Sequence, residues 1–396
     1  MKTADDFAKL LTLYEEALLD DVIPWWMEHG IDWEMGGVTE TITEDGEVYS
    51  YDKSVWSLGR ALFVWSKLYN SIGNRHEWLD VANRIFEFTL PIGRNSDWLW
   101  PSKVHRDGSV ITPSTRIYAD GFAMMGLTEY AKATGDEDAI AAALATYETV
   151  QERMKTPGVH LAVPEEVAQV AKTHGISMIF STVFHELGKL LDDAEILKAG
   201  HDHATMILDE YLKPEERILH EYIALDGSLL QRPPGQEIIA GHAIESMWFL
   251  MNLFADRHEQ DRIAQCVESV RWHLEACWDD ECGGMFLFLD AEDGKLVQRQ
   301  GQGKTMWPHT ETLVALLLGY ELTGEKWCLE WYDRVHEWTW AHFPVAEYGE
   351  WHRGVARDGS FPWGVTGEGE KPRKEPFHLP RALITCVTIL ERLAGR

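Results

Sequence analysis

The chain has 396 residues, of which 45% are apolar and 26% charged, a globular rather than a disordered composition. Asp and Glu outnumber Lys and Arg by 65 to 36, giving a formal charge of −29 that repels phosphate backbones and anionic lipids and argues against nucleic-acid or membrane-surface binding. A neutral ligand is admitted more easily, and an anionic one needs a local basic patch.

The N-terminus, MKTADDFAKLLTLYEEALLDDVIPWW, is acidic and amphipathic, whereas a secretory leader needs a basic start and an unbroken apolar stretch. No run of about 18 apolar residues occurs anywhere, so a cytoplasmic location is expected. The five cysteines are scattered without a CxxC, which predicts free thiols rather than disulfides or a zinc site. Tryptophan is abundant, with 18 residues. Most of these are expected in the core, while Trp307, Trp351 and Trp363, in loops, are candidates for ligand contact.

Helical spacing of apolar residues predicts helices over 5–23, 54–71, 76–90, 119–133, 137–153, 175–192, 196–212, 237–256, 259–276, 309–322, 326–342 and 377–394. Long segments join the first to the second, the third to the fourth, and so on. Short turns such as Thr134-Gly135-Asp136 and Thr323-Gly324-Glu325 join each even helix to the next odd one. Five long segments carry an Asp-Gly hairpin signal, with turn glycines Gly46, Gly108, Gly227, Gly294 and Gly359. Their spacing is close to 65 residues if the region TPGVHLAVPEE is a sixth unit without the signature.

Twelve alternating helices predict an all-α fold, an (α/α)6 toroid with residues 1–396 in a single catalytic domain. The even helices line the ring and all six long connections lie at one end, over their N-termini. An open solenoid is the rival geometry. A pocket is expected at that end, so functional groups should gather at the starts of even helices.

They do. The second helix starts with Asp52, Lys53, Trp56 and Arg60, and the fourth with Arg116, Tyr118 and Asp120. The eighth carries His242 and Glu245, the tenth Lys304, Trp307, His309 and Glu311, and the twelfth His378 and Arg381. The sixth is less polar, with His174, Ser177 and Met178. His242 and Glu245 share a helix face by their i, i+3 spacing. Arg60 lies on an apolar face, so it needs a carboxylate partner, Glu245 or Glu311, or an anion. HxxE can ligate a metal, but no HEXXH or second HxxE pair is present, so no metal site is expected. P-loop, GxGxxG and GxSxG signatures are also missing.

In order along the chain, GGVTETITEDGEVYSYDKSVWSLGRALF, RIYADGFAMMGLTEYAKATGD, PGQEIIAGHAIESMWFLM, WPHTETLVALLLGYELTG, YGEWHRGVARDG and FHLPRAL resemble the N-acylglucosamine 2-epimerase family, which includes cellobiose 2-epimerases and aldose–ketose isomerases. GHAIE, WPHTE and FHLPR look closest to the N-acylglucosamine branch. The resemblance implies an (α/α)6 barrel that epimerises or isomerises free sugars at C2 without a redox cofactor. By the matching motifs it implies catalytic roles for Arg60, His242, Glu311 and His378; Tyr118, Glu245, Trp307, His309 and Arg381, from their places at the starts of inner helices, are expected around the substrate. A homodimer also falls within what it implies.

Two departures matter. Cellobiose epimerases and sugar isomerases carry another histidine on the sixth helix, where this chain has Met178. The stretch before FHLPR reads GEGEKPRKEP rather than a glycine-rich GGPFKG-type segment, which bears on acyl-group recognition and on activation by a nucleotide such as ATP. The expected chemistry is removal and return of the C2 proton of an open-chain sugar by two histidines, with Arg60 stabilising the enediolate. Alternatives are ketose formation or epimerisation of an unacylated sugar such as mannose. More remote ones are a two-carboxylate glycoside hydrolase or lyase using Glu245 and Glu311, and a non-catalytic sugar-binding protein.

Overall fold

A computed structural model describes residues 2–156, 165–230, 234–299, 301–360 and 373–395. Among them are twelve long helices: α1 (Ala4–Glu16), α2 (Val55–Ser71), α3 (His76–Asn95), α4 (Tyr118–Thr134), α5 (Glu137–Met154), α6 (His174–Leu191), α7 (Ala194–Met206), α8 (Ala240–Asp256), α9 (Gln260–Cys277), α10 (Met306–Thr323), α11 (Lys326–His342) and α12 (His378–Ala394). The even helices pack side by side, and α12 packs back against α2, so the ring closes. The odd helices form the outer layer, α3 on α2 and so on round to α1 on α12. The fold is an (α/α)6 toroid, and the open solenoid is set aside.

The inner helices owe their placement to sequence. In α4, residues 119–131 are buried without a break, as a helix enclosed on all sides must be. Where α2 and α4 cross, a Cβ on Gly126 would lie 2.4 Å from the Gly59 carbonyl oxygen, and one on Gly59 would lie 2.4 Å from the Phe122 backbone. Two glycines therefore let the backbones touch, which sets Trp56 and Arg60 of α2 against Phe122 of α4.

The long connections meet at one end of the ring and are stitched in antiparallel pairs: Lys53–Ser54 with Lys103–Val104, Ala171–Thr173 with Tyr222–Ala224, Glu237–Ile239 with Phe288–Glu292, and Lys304–Thr305 with Gly354–Val355. All five Asp-Gly turn glycines have positive φ, from 72° to 87°. Two hairpins are pinned alike. Asp32 accepts from Lys53 Nζ at 2.9 Å and from Arg106 Nε and NH2 at 2.8 Å each. Asp279 accepts from Lys304 Nζ at 2.8 Å, Arg357 Nε at 2.7 Å and Arg357 NH2 at 3.0 Å.

Several expectations need correction. Lys53 and Lys304, read as pocket-end groups, are buried in these pins. The first helix does not stop at 23: it runs on through π-helical Ala17–Val22, a turn at Ile23–Trp25 and π-helical Trp26–Gly30. Helix α3 continues past 90, carrying Pro91 in its last turns. Residues 237–239, read as helix, form a strand, and α10 starts three residues early at Met306. Trp351 is buried edge-on against Trp340, with ring centroids 4.9 Å apart, so it is a core residue. Trp363, and most of the region TPGVHLAVPEE, lie outside the described residues.

Gly126→Ala should cost about 2 kcal/mol or more, because the new methyl meets backbone that cannot rotate away. A drop in thermal unfolding midpoint, absent in an Ala substitution at half-buried Gly73, where a Cβ would meet only the Trp78 ring at 4.0 Å, is the expected result.

Candidate active site

At the hairpin end of the ring a cavity of about 320 Å³ is lined by Trp56, Arg60, Tyr118, Met178, His242, Glu245, Trp307 and His378, with Arg116, Phe122, Ile179, Met306, Arg353 and Glu375 completing the wall. That volume falls at the small end of ligand pockets. Six of the nine expected site residues therefore share one cavity: Arg60, Tyr118, His242, Glu245, Trp307 and His378.

The two histidines come from α8 and the start of α12, and both pack against the Trp307 indole. Its ring centroid is 5.5 Å from that of His242 and 5.1 Å from that of His378. The indole fits there because Gly241 has no side chain; a Cβ at that position would lie 2.3 Å from the Trp307 ring.

Each histidine is oriented by a buried carboxylate. His378 Nδ1 is 2.8 Å from Glu311 Oε1, and His242 Nδ1 is 3.2 Å from Glu221 Oε2. A carboxylate acceptor places the proton on Nδ1, so both rings turn Nε2 towards the cavity. Glu221 also holds His174, with Nδ1 at 3.3 Å.

The environments of the pair differ. Burial pushes His378 down to about 3, with Glu375 and Glu245 pulling against it and Arg60 and Arg381 reinforcing it. Burial would depress His242 too, but the charge and hydrogen bond of Glu221 outweigh it and raise its pKa. Glu221 itself is held far below the ordinary carboxylate range: burial opposes ionisation, and His242 and His174 overcome it. The surroundings thus push the two imidazoles in opposite directions, His378 towards the neutral form and His242 towards the protonated one.

Glu311 and Arg381 lie beneath the cavity rather than on its wall. Arg381 NH2 donates to Glu311 Oε1 at 2.6 Å and also to Glu245, while Trp248 Nε1 donates to Glu311 Oε2 at 2.9 Å. Arg381 is thus a buried support, not a substrate contact. Glu245, Glu311 and His378 bring ligand atoms within 4.8 Å of one another. Yet the Arg381 guanidinium already bridges the two carboxylates, supplying the positive charge that a metal would bring.

Arg60 does not pair with Glu245 or Glu311. Its NH1 meets Glu375 Oε1 at 3.1 Å, and its guanidinium lies 4.2–4.6 Å from the ring centroids of Trp56, Phe122 and Phe377. Burial lowers its pKa to about 10, so it remains a cation.

His309 is the clearest miss. It is fully buried away from the cavity, its Nδ1 2.8 Å from the Thr305 carbonyl and its Nε2 accepting from the Met285 N–H at 2.8 Å. Burial pushes it down to about 3, as befits a neutral core histidine. Sequence reasoning overlooked Glu221 and Glu375. Glu221 ends a continuous buried run, Ile218 to Glu221, just before the strand Tyr222–Ala224, so no alternation in the sequence marks it.

Replacing Glu221 with Gln removes the charge that raises His242. The imidazole titration of His242, followed by NMR, should move to lower pH, whereas that of the core histidine His309 should not move.

A profile of the N-acylglucosamine 2-epimerase (GlcNAc 2-epimerase) family matches residues 36–379. The N-acylglucosamine 2-epimerase of Bos taurus is 29% identical over 389 residues, covering 96% of this chain and 90% of the relative. The cellobiose 2-epimerase of Bacteroides fragilis is 23% identical over 368 residues, covering 87% and 91%. Among solved structures, cellobiose 2-epimerase from Bacillus thermoamylovorans superposes with a TM-score of 0.80 at 17% identity, covering 97% of this chain and 100% of that one. With a match that spans most of its length, the chain belongs to the N-acylglucosamine 2-epimerase family.

Proposed function

We propose that the protein is an isomerase that inverts C2 of a free reducing sugar, an N-acylated glucosamine/mannosamine pair being the best fit. The observation that carries this reading is the cavity with two histidines from different inner helices, both packed against one indole and with their pKa values pushed in opposite directions.

The chemistry follows from that pairing. In the open-chain form the C1 aldehyde acidifies the C2 proton. A neutral imidazole, His378 in one direction, removes it from one face. An imidazolium, His242, returns a proton to the other face, and the reverse reaction exchanges the roles. The intermediate is an anionic enolate with its charge on the C1 oxygen, and Arg60 on the same wall can stabilise it. Glu311 and Glu221 fix the tautomers and keep Nε2 as the reacting atom. No redox cofactor or metal is needed for these proton transfers.

The acylated amino sugar is supported by the 29% identical relative that bears that name, and by the apolar wall of Met178, Ile179 and Met306, which suits an acyl methyl group. Such a sugar cannot become an ordinary ketose without losing its amide, so the amide also directs the enolate towards epimerisation. The nucleotide question attaches to the stretch GEGEKPRKEP, of which 367–372 lie outside the described residues.

The active form carries a neutral His378 and a protonated His242. As pH rises through the raised His242 pKa that form is lost, so kcat/KM should fall on the alkaline side; the acid limb should lie well below pH 6, where His378 takes up a proton. The limbs of a kcat/KM profile check this. His378→Asn and His242→Asn should each lower epimerisation by about 10²- to 10⁴-fold while leaving sugar binding far less changed. With the epimer that presents its proton to the surviving histidine, deuterium from D2O should still enter C2 without inversion. Near-wild-type epimerisation by both variants would move the base to Glu245.

A further inference from the structure

The cavity wall carries an unbalanced charge. Five charged side chains besides the histidines line it: Arg60, Arg116, Arg353, Glu245 and Glu375. Both carboxylates are matched, Glu375 by Arg60 and Glu245 by Arg381. His242 faces Glu221. Among the described residues, the guanidinium groups of Arg116 and Arg353 have no carboxylate partner. In a chain of charge −29, two unmatched arginines opening into one cavity form the local basic patch that an anionic ligand requires.

Their places in the fold give the patch a direction. Arg116 precedes Tyr118, the first residue of α4, and lies close enough to Tyr118 and Tyr222 for its charge to act on both hydroxyls. Arg353 adjoins the strand Gly354–Val355, and its carbonyl accepts from the Met306 N–H at 2.9 Å at the start of α10. Helices α4 and α10 stand opposite each other in the six-membered ring. Both arginines belong to connecting segments that precede or cover helix starts, whereas the two histidines sit within first turns of inner helices. The arginines thus line the same cavity from the connecting segments, apart from the helix positions that carry the histidines.

We propose that the substrate carries an anionic group, a phosphate or a carboxylate, at the end remote from C1 and C2, and that Arg116 and Arg353 hold it. Several acceptor oxygens on one group can satisfy two guanidinium forks, which a single hydroxyl cannot. This inference rests on the epimerase reading and narrows its substrate class.

The test compares matched sugars: N-acetylmannosamine, its 6-phosphate and its 6-carboxylate, with mannose and mannose 6-phosphate as the unacylated pair. Epimer formation and C2 deuteration in D2O are followed by NMR. At least one anionic member should exceed its neutral counterpart in kcat/KM by about 10-fold or more, mainly through a lower KM, and the margin should shrink as salt is added. The phosphate and carboxylate arms tell which anion is meant. Arg116→Gln and Arg353→Gln should each reduce the anionic-to-neutral ratio by about 10-fold, and Arg353→Lys, which keeps the charge, should retain most of it. Equal or better turnover of the neutral sugars, or an anionic preference that survives both Gln substitutions, would overturn the proposal while leaving the epimerase reading intact. Exchange at C2 of none of these sugars would defeat the epimerase reading and this inference with it.

Discussion

A single buried guanidinium underlies the site. Arg381 is 3% exposed and bridges Glu245 and Glu311, which are themselves buried. Two ionised carboxylates this close together in a dry interior would repel each other and force one to take up a proton. The arginine between them lets both remain acceptors. Only because Glu311 stays an acceptor can it hold the Nδ1 proton of His378, and only then does Nε2 face the cavity as a base. Breaking such a network by removing one member leaves an uncompensated buried charge, so the three side chains act as a unit.

The division of labour between the histidines follows from where their counter-charges lie. His378 stands near the cations Arg60 and Arg381 and is deeply buried, so the neutral imidazole is favoured. His242 leans on Glu221, whose charge is met by the His242 and His174 imidazoles and the Thr173 hydroxyl, and its pKa is raised. Similar residues in different surroundings thereby become an acid and a base. The hairpins deliver these surroundings: Glu221 comes from a connection rather than a helix, and the Asp32 and Asp279 pins fix hairpins over the ring at two separate points.

Much of this was legible in the sequence because it was periodic. The 3.6-residue spacing identified all twelve helices, and the Asp-Gly turns located the hairpins. The alternation of long and short connections placed His242, His378, Trp307, Arg60 and Tyr118 at one end. The misses have a common cause. His309, Lys304 and Lys53 also sit at or beside starts of inner helices, but on sides that face the core or the hairpin pins; helix position alone does not reveal rotation about the axis. Arg60 pairs with Glu375 in a connecting segment, a contact 315 residues away in sequence that no local pattern announces. Helix ends shifted where a π-helical turn continued past an expected stop, as at Trp26–Gly30, or where a strand replaced the first turn, as at Glu237–Ile239.

The central claim is that two different groups serve the two faces of C2. It is tested most directly by the wild-type enzyme's first turnovers in D2O, starting from a substrate with ordinary hydrogen at C2. Transfer between two histidines predicts that the product epimer carries solvent deuterium at C2 from the earliest time points, while unreacted substrate retains its hydrogen. Product epimer that keeps the substrate's own C2 hydrogen would contradict it, since the proton would then have been carried across by one group or moved without exchange.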